Sequence, residues 1–87
     1  MLLNIQLWGQ LKNLSNKEFV SVDANTVEDA VLKVADEYKE LSHLLLSEDK
    51  PSKSILVFIN QNQYVWGSEY QLSESDSVTF MSPIAGG

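Results

Sequence analysis

Ser77-Val78-Thr79-Phe80-Met81-Ser82-Pro83-Ile84-Ala85-Gly86-Gly87 closes the chain and decides its reading. Val78 and Phe80 alternate with Ser77, Thr79 and Met81, the period of two expected of a strand with one buried face. Pro83 ends the strand, because it has no N–H for a ladder and fixes its own φ. The residue before a proline is pushed towards an extended shape, so Ser82 continues outward. Beyond it stand two glycines with no side chain, able to thread a channel too narrow for any other residue. Their only reactive group is the α-carboxylate of Gly87. Taken alone, Gly86-Gly87 reads most simply as a frayed chain end. Set behind a rigid strand and a proline exit, it reads as a delivery arm for a carboxylate that an enzyme could adenylate and pass to sulfur or to an amine.

Working back from this arm, Leu72 to Asp76 is a turn, and Tyr64-Val65-Trp66, closed by Gly67, is a short strand. Asn60-Gln61-Asn62 is a second turn. Ser54 to Asn60 is apolar enough to lie inside a sheet. Ser47 to Lys53 reads as a loop. Leu41 to Leu46 extends the preceding helix or adds a short turn of its own. That helix is the clearest element of the chain: Val27, Ala30, Val31, Val34, Ala35 and Tyr38 share one face. Thr26 is its N-cap, with Asp29 in the position of a capping box. Glu28 and Asp29 suit the positive end of its dipole. Residues 2–8 form a first strand, with Leu3, Ile5 and Leu7 alternating. Gln10 to Lys17 reads as a polar turn after Gly9, and residues 18–22 form a second strand that makes a hairpin with the first.

The order β-β-α-β-β-β predicts an α+β domain. A mixed sheet of about five strands packs on one main helix, with the first and last strands parallel at its centre. The domain spans residues 1–82 and the extended tail residues 83–87. At 87 residues the chain has room for one core. Twelve acidic against six basic residues give a net charge of −6. That balance argues against nucleic acid, whose binding depends on Lys and Arg releasing counterions from phosphates, and against an anionic membrane surface. It is compatible with a basic protein partner, though solubility alone explains the charge better. No apolar run reaches the roughly 20 residues of a membrane span. No signal peptide is expected at the N-terminus. The absence of cysteine excludes disulfides, thiolate–zinc sites and a cysteine nucleophile, and fits a cytoplasmic protein.

Leu72-Ser73-Glu74-Ser75-Asp76 followed by the closing strand, Pro83 and Gly86-Gly87 resembles the end of the small sulfur carriers of the MoaD/ThiS family. Within that family the resemblance is closest to the small subunits of molybdopterin synthase. Leu7-Trp8-Gly9-Gln10-Leu11-Lys12 stands where the family has an aromatic, a small residue and then a basic one. The chain departs from the pattern at Ser82, in place of a first proline, at Ser75, in place of a turn glycine, and at Lys12, in place of an arginine.

The resemblance implies a ubiquitin-like β-grasp fold. It also implies that an ATP-dependent adenylyltransferase, related to ubiquitin-activating enzymes, acts on Gly87. The product is a C-terminal thiocarboxylate, with no bound cofactor and no metal. The partner is then the large subunit of molybdopterin synthase, in a heterotetramer, which receives the tail and supplies the catalytic pocket. Gly86 and Gly87 are the reacting end, and Met81, Pro83, Ile84, Ala85 and Trp8 are the expected contacts. Sulfur carriage for thiazole or cysteine synthesis, a ubiquitin-like modifier joined through Gly87, and a plain interaction module are the competing readings. The chain has one histidine, His43, which carries no expected role. The fold alone is expected to catalyse nothing.

Overall fold

Period-two patterning builds the sheet. The computed structural model describes residues 1–82. In β1 (Leu2–Trp8), Leu3, Ile5 and Leu7 are buried. In β2 (Phe19–Asp23) the buried pair is Val20 and Val22. β1 and β2 pair antiparallel, with Ile5 opposite Val20. α2 (Val27–Glu37) follows and lays Val27, Ala30, Val31, Val34 and Ala35 on the same side of the sheet. Thr26 caps it, its Oγ1 accepting from the backbone N–H of Asp29 at 3.2 Å. The Asp29 carboxylate pairs with Lys33 at 3.5 Å, so the cap is the hydroxyl half of a capping box. A 3₁₀ turn (Lys39–Leu41) and α3 (Ser42–Leu45) bring Leu41 and Leu45 into the core.

β5 (Leu56–Ile59) and β7 (Val78–Met81) complete the centre of the sheet. β7 runs parallel to β1, with Leu7 opposite Phe80 and Trp8 opposite Met81, and antiparallel to β5, with Val57 opposite Phe80. With β6 (Asn62–Gln63) paired to β5, the strand order is β2-β1-β7-β5-β6. The first and last strands are therefore parallel neighbours at the middle of the sheet, as the sequence predicts. Phe80 is fully buried between them and the helix layer.

Three local expectations are corrected. Gln10–Lys17 is not a turn throughout: Gln10–Ser15 is a helix, α1, capped by Gly9 and ended by Asn16 in the left-handed region at φ 57°. One buried side chain, Leu11, gives so short a helix no readable periodicity. Ser47–Lys53 holds a small hairpin, β3 (Leu46–Ser47) with β4 (Lys50–Pro51), closed by Glu48 and Asp49 at φ 54° and 64°. The strand expected at Tyr64–Trp66 lies at Asn62–Gln63 instead. Asn60 and Gln61 both take positive φ, 52° and 72°, which makes the two-residue hairpin turn and fixes Ile59 opposite Asn62. Tyr64 still donates its N–H to the Val57 carbonyl at 2.7 Å, and its side chain is buried. Its hydroxyl donates to the Glu28 carboxylate at 2.6 Å. Burial, and then that hydrogen bond, hold the Tyr64 hydroxyl above the usual phenol range.

Candidate functional site

The residues that alternate with the core form the second face of the sheet, the one away from α2. Because β1, β7 and β5 are in register, their outward side chains fall into rows. One row is Trp8, Met81 and Leu56; the next is Phe19, Gln6, Thr79 and Phe58. Met81, Leu56 and Phe58 are half-buried, while Trp8 and Phe19 are 48% and 50% exposed. A groove of about 430 Å³ runs over this face, lined by Gln6, Trp8, Phe58, Gln61, Ser77, Thr79 and Met81. Its lining carries no ionisable side chain. Apolar surface flanked by amides and hydroxyls, at the centre of a sheet, is the composition of a protein contact.

The structure thus brings Trp8 and Met81 side by side at the end of the two central strands. Pro83, Ile84, Ala85, Gly86 and Gly87 lie outside the described residues. Sequence reasoning missed Phe58, Leu56 and Phe19 as parts of this face. The signal was present in Ile55-Leu56-Val57-Phe58-Ile59: a strand apolar on both parities must show apolar side chains on whichever face is not core. Val65 and Trp66 do not join the groove. Val65 lines a separate cleft of about 270 Å³ with Ile59, Asn62, Tyr64 and Tyr70. Trp66 packs edge-on to Tyr64, with centroids 5.4 Å apart.

β7 fixes where the tail leaves. Ser82 follows Met81 directly and is buried, 3% exposed, against the β1–α1 turn. An added Cβ on Gly9 would stand 3.3 Å from the Ser82 carbonyl oxygen. At the opposite end of β7 a polar clasp holds the strand's start. The Asp76 carboxylate accepts from the Ser73 N–H at 2.9 Å, from Asn60 Nδ2 at 2.7 Å and from the Tyr70 hydroxyl at 3.0 Å. Asn60 Oδ1 in turn accepts from the Ser77 N–H at 2.9 Å. The Ser73 N–H, and then the Asn60 amide, hold the Asp76 carboxyl below the usual carboxylate range.

His43, Glu48, Asp49 and Glu74 are all exposed, and none of them lines the groove. Among the described residues no group of three or more His, Asp or Glu is arranged to hold a metal ion. No helix there is long and apolar enough to cross a membrane.

Solved structures share the fold. The small archaeal modifier protein 1 (SAMP1) of Methanosarcina acetivorans superposes with a TM-score of 0.82 at 22% identity, over 99% of this chain and 96% of that one. A chain of the Amycolatopsis orientalis BexX/CysO complex gives 0.71 at 21% identity, over 97% and 98%. A chain of the complex of subunits 1 and 2 of molybdopterin-converting factor from Helicobacter pylori gives 0.64 at 16% identity, over the whole of both chains. These likenesses establish the ubiquitin-like β-grasp architecture. No curated protein sequence matches this chain significantly. The ThiS family model matches residues 5–87, from the first strand to the terminal glycine. With the parallel β1–β7 pair at the centre of the sheet and Gly86-Gly87 at its end, this chain belongs to the ThiS family.

Proposed function

We propose that this chain is a sulfur carrier whose Gly87 carboxylate is activated and converted to a thiocarboxylate, and that it serves as the small subunit of molybdopterin synthase. The observation that carries the reading is the continuity of the family match through Gly87 on a fold whose central strand leads into the tail. The five residues beyond Ser82 can carry the carboxylate up to about 18 Å from the domain. That is enough to reach into a partner while the neutral groove of Trp8, Phe58 and Met81 docks against it.

In the proposed chemistry a Gly87 carboxylate oxygen attacks the α-phosphorus of ATP and pyrophosphate leaves. Hydrosulfide then attacks the carbonyl carbon of the acyl-adenylate, the C–O bond breaks, AMP departs and a proton is released. The thiocarboxylate sulfur attacks an electrophilic carbon of a pterin precursor in the large subunit and an oxygen leaving group departs. Water then cleaves the acyl C–S bond, which leaves the sulfur on the pterin and returns the Gly87 carboxylate, and a second delivery completes a dithiolene. The large subunit supplies the pocket and its cationic groups. Two of the fold's relatives, from Helicobacter pylori and Amycolatopsis orientalis, occur in complexes with a second protein, which supports a protein partner for this chain.

A second reading keeps the activated carboxylate and joins it to lysines of other proteins. Its support is the likeness in fold to the Methanosarcina modifier protein. Intact mass separates the two. After incubation with ATP, a sulfide source and an adenylating enzyme, the carrier reading expects a gain equal to exchange of one oxygen for sulfur. Deleting Gly87, or adding a residue after it, should abolish the gain and leave the domain folded. Lysine conjugates that survive thiol reductant, without the sulfur gain, would transfer the assignment to the modifier reading.

A further inference from the structure

We propose that Gly9 and Ser82 form the post that aims the C-terminal tail, and that Gly9 is a positioning residue for activation of the Gly87 carboxylate. The inference rests on the activation chemistry proposed above. Gly9 joins two elements that meet at the tail's base: it ends β1 beside Met81 and caps α1, its carbonyl accepting from the Asn13 N–H at 3.1 Å. Its backbone sits at φ 67°, ψ −136°, a region that L side chains resist.

A second constraint falls on the same residue. The hydrogen that a side chain would replace faces Ser82, and a Cβ there would stand 3.3 Å from the Ser82 carbonyl oxygen and 3.6 Å from its Oγ. Ser82 is itself 3% exposed, and its Oγ has no hydrogen-bond partner among the described residues. A buried hydroxyl without a partner opposes folding, so van der Waals fit and strand continuity hold Ser82 in place. Its ψ is restricted in addition by Pro83. Three restraints therefore meet at one peptide: the β7 ladder before it, the proline after it, and the bare face of Gly9 beside it. Leu7 and Leu11, which flank Gly9 in the chain, are both fully buried, so the turn that carries Gly9 is anchored on both sides. What the closeness fixes is the direction in which the chain leaves Ser82.

The test uses the full chain as the substrate of an adenylating enzyme, with pyrophosphate release as the readout. Gly9→Ala is expected to lower kcat by about 10–100-fold, the penalty of a misplaced reacting group. KM for the carrier should stay within about twofold, because the docking face is untouched. A general loss of fold would raise KM and broaden thermal unfolding together, so the kcat–KM split separates aim from structure. Should Gly9→Ala fail to fold, Ser82→Gly loosens the same post from the other side and is expected to lower kcat in the same way. Unchanged kcat in a folded variant, or a rise in KM alone, would overturn the inference while leaving the activation reading intact. Absence of pyrophosphate release with the wild-type chain would overturn the activation reading, and this inference with it.

Discussion

Phe80 and Met81 are adjacent in one strand and should differ sharply in what they contribute. Phe80 is fully buried, with Leu7 and Val57 opposite it on the two flanking strands. Met81 is half-buried on the outer face. Truncating a buried Phe to Ala costs about 3–5 kcal/mol, the transfer term plus the cavity left behind. A chain of 87 residues has a total stability of about 4–13 kcal/mol. Phe80→Ala therefore removes between about a quarter of the stability and all of it. With a urea m-value of about 1 kcal/mol/M for a domain of this size, the midpoint should fall by about 3 M or more. Met81→Ala removes a side chain that solvent already reaches and should cost about 1 kcal/mol or less, a midpoint shift of about 1 M at most. Urea unfolding of the two variants, followed by circular dichroism and by tryptophan fluorescence together, measures both numbers. Equal shifts for the two variants, or a larger one for Met81→Ala, would refute the assignment of faces and with it the outer groove.

Other expectations follow from the same geometry. Met81→Asp should leave the domain folded but raise the Kd for the proposed large subunit by at least about 30-fold, because binding would bury an unpaired carboxylate at about 2 kcal/mol or more; unchanged affinity would remove Met81 from the interface. Asp76 has its pKa lowered by the Ser73 N–H, by Asn60 and by Tyr70. Its clasp therefore contributes stability that is present above the unfolded-state pKa of about 3.9 and lost as pH falls through the lower folded value. Urea midpoints measured from neutral pH down through this window should fall more steeply for the wild type than for Asp76→Asn, and parallel curves would show the clasp to be inert. Thr26→Ala should cost about 1 kcal/mol through loss of the α2 cap, seen as a fall in Tm of about 4–8 °C; no change would mean that water replaces the cap without loss.

Much of the architecture was legible because it is written in periodicity. The alternation of Leu3, Ile5, Leu7 and of Val78, Phe80 marks strands with one buried face. The stripe from Val27 to Ala35 marks the helix that covers them. The element order predicts the parallel pairing of β1 with β7, and the sheet shows it. The misplaced elements are short ones, where periodicity has no length in which to appear. α1 is six residues and β6 two. Their limits are set by backbone conformation instead, at Gly9 and Asn16, and at Asn60 and Gln61. Positive φ at Asn and Gln is a choice that the tertiary fold makes, since both residues also accept ordinary turn angles.

By itself, the sequence determined the fold, the direction of its last strand and the chemical nature of its end. Local patterning and the identity of glycine and proline are properties of residues, and they survive without neighbours. Only the tertiary structure decided which apolar residues stand outside the core. Trp8, Met81, Leu56 and Phe58 come from three strands, and their adjacency is a matter of register, which no single segment encodes. The same holds for the approach of Gly9 to Ser82. A contact between residues 9 and 82 exists because β1 and β7 run parallel and end level with one another, an outcome of packing across the whole chain.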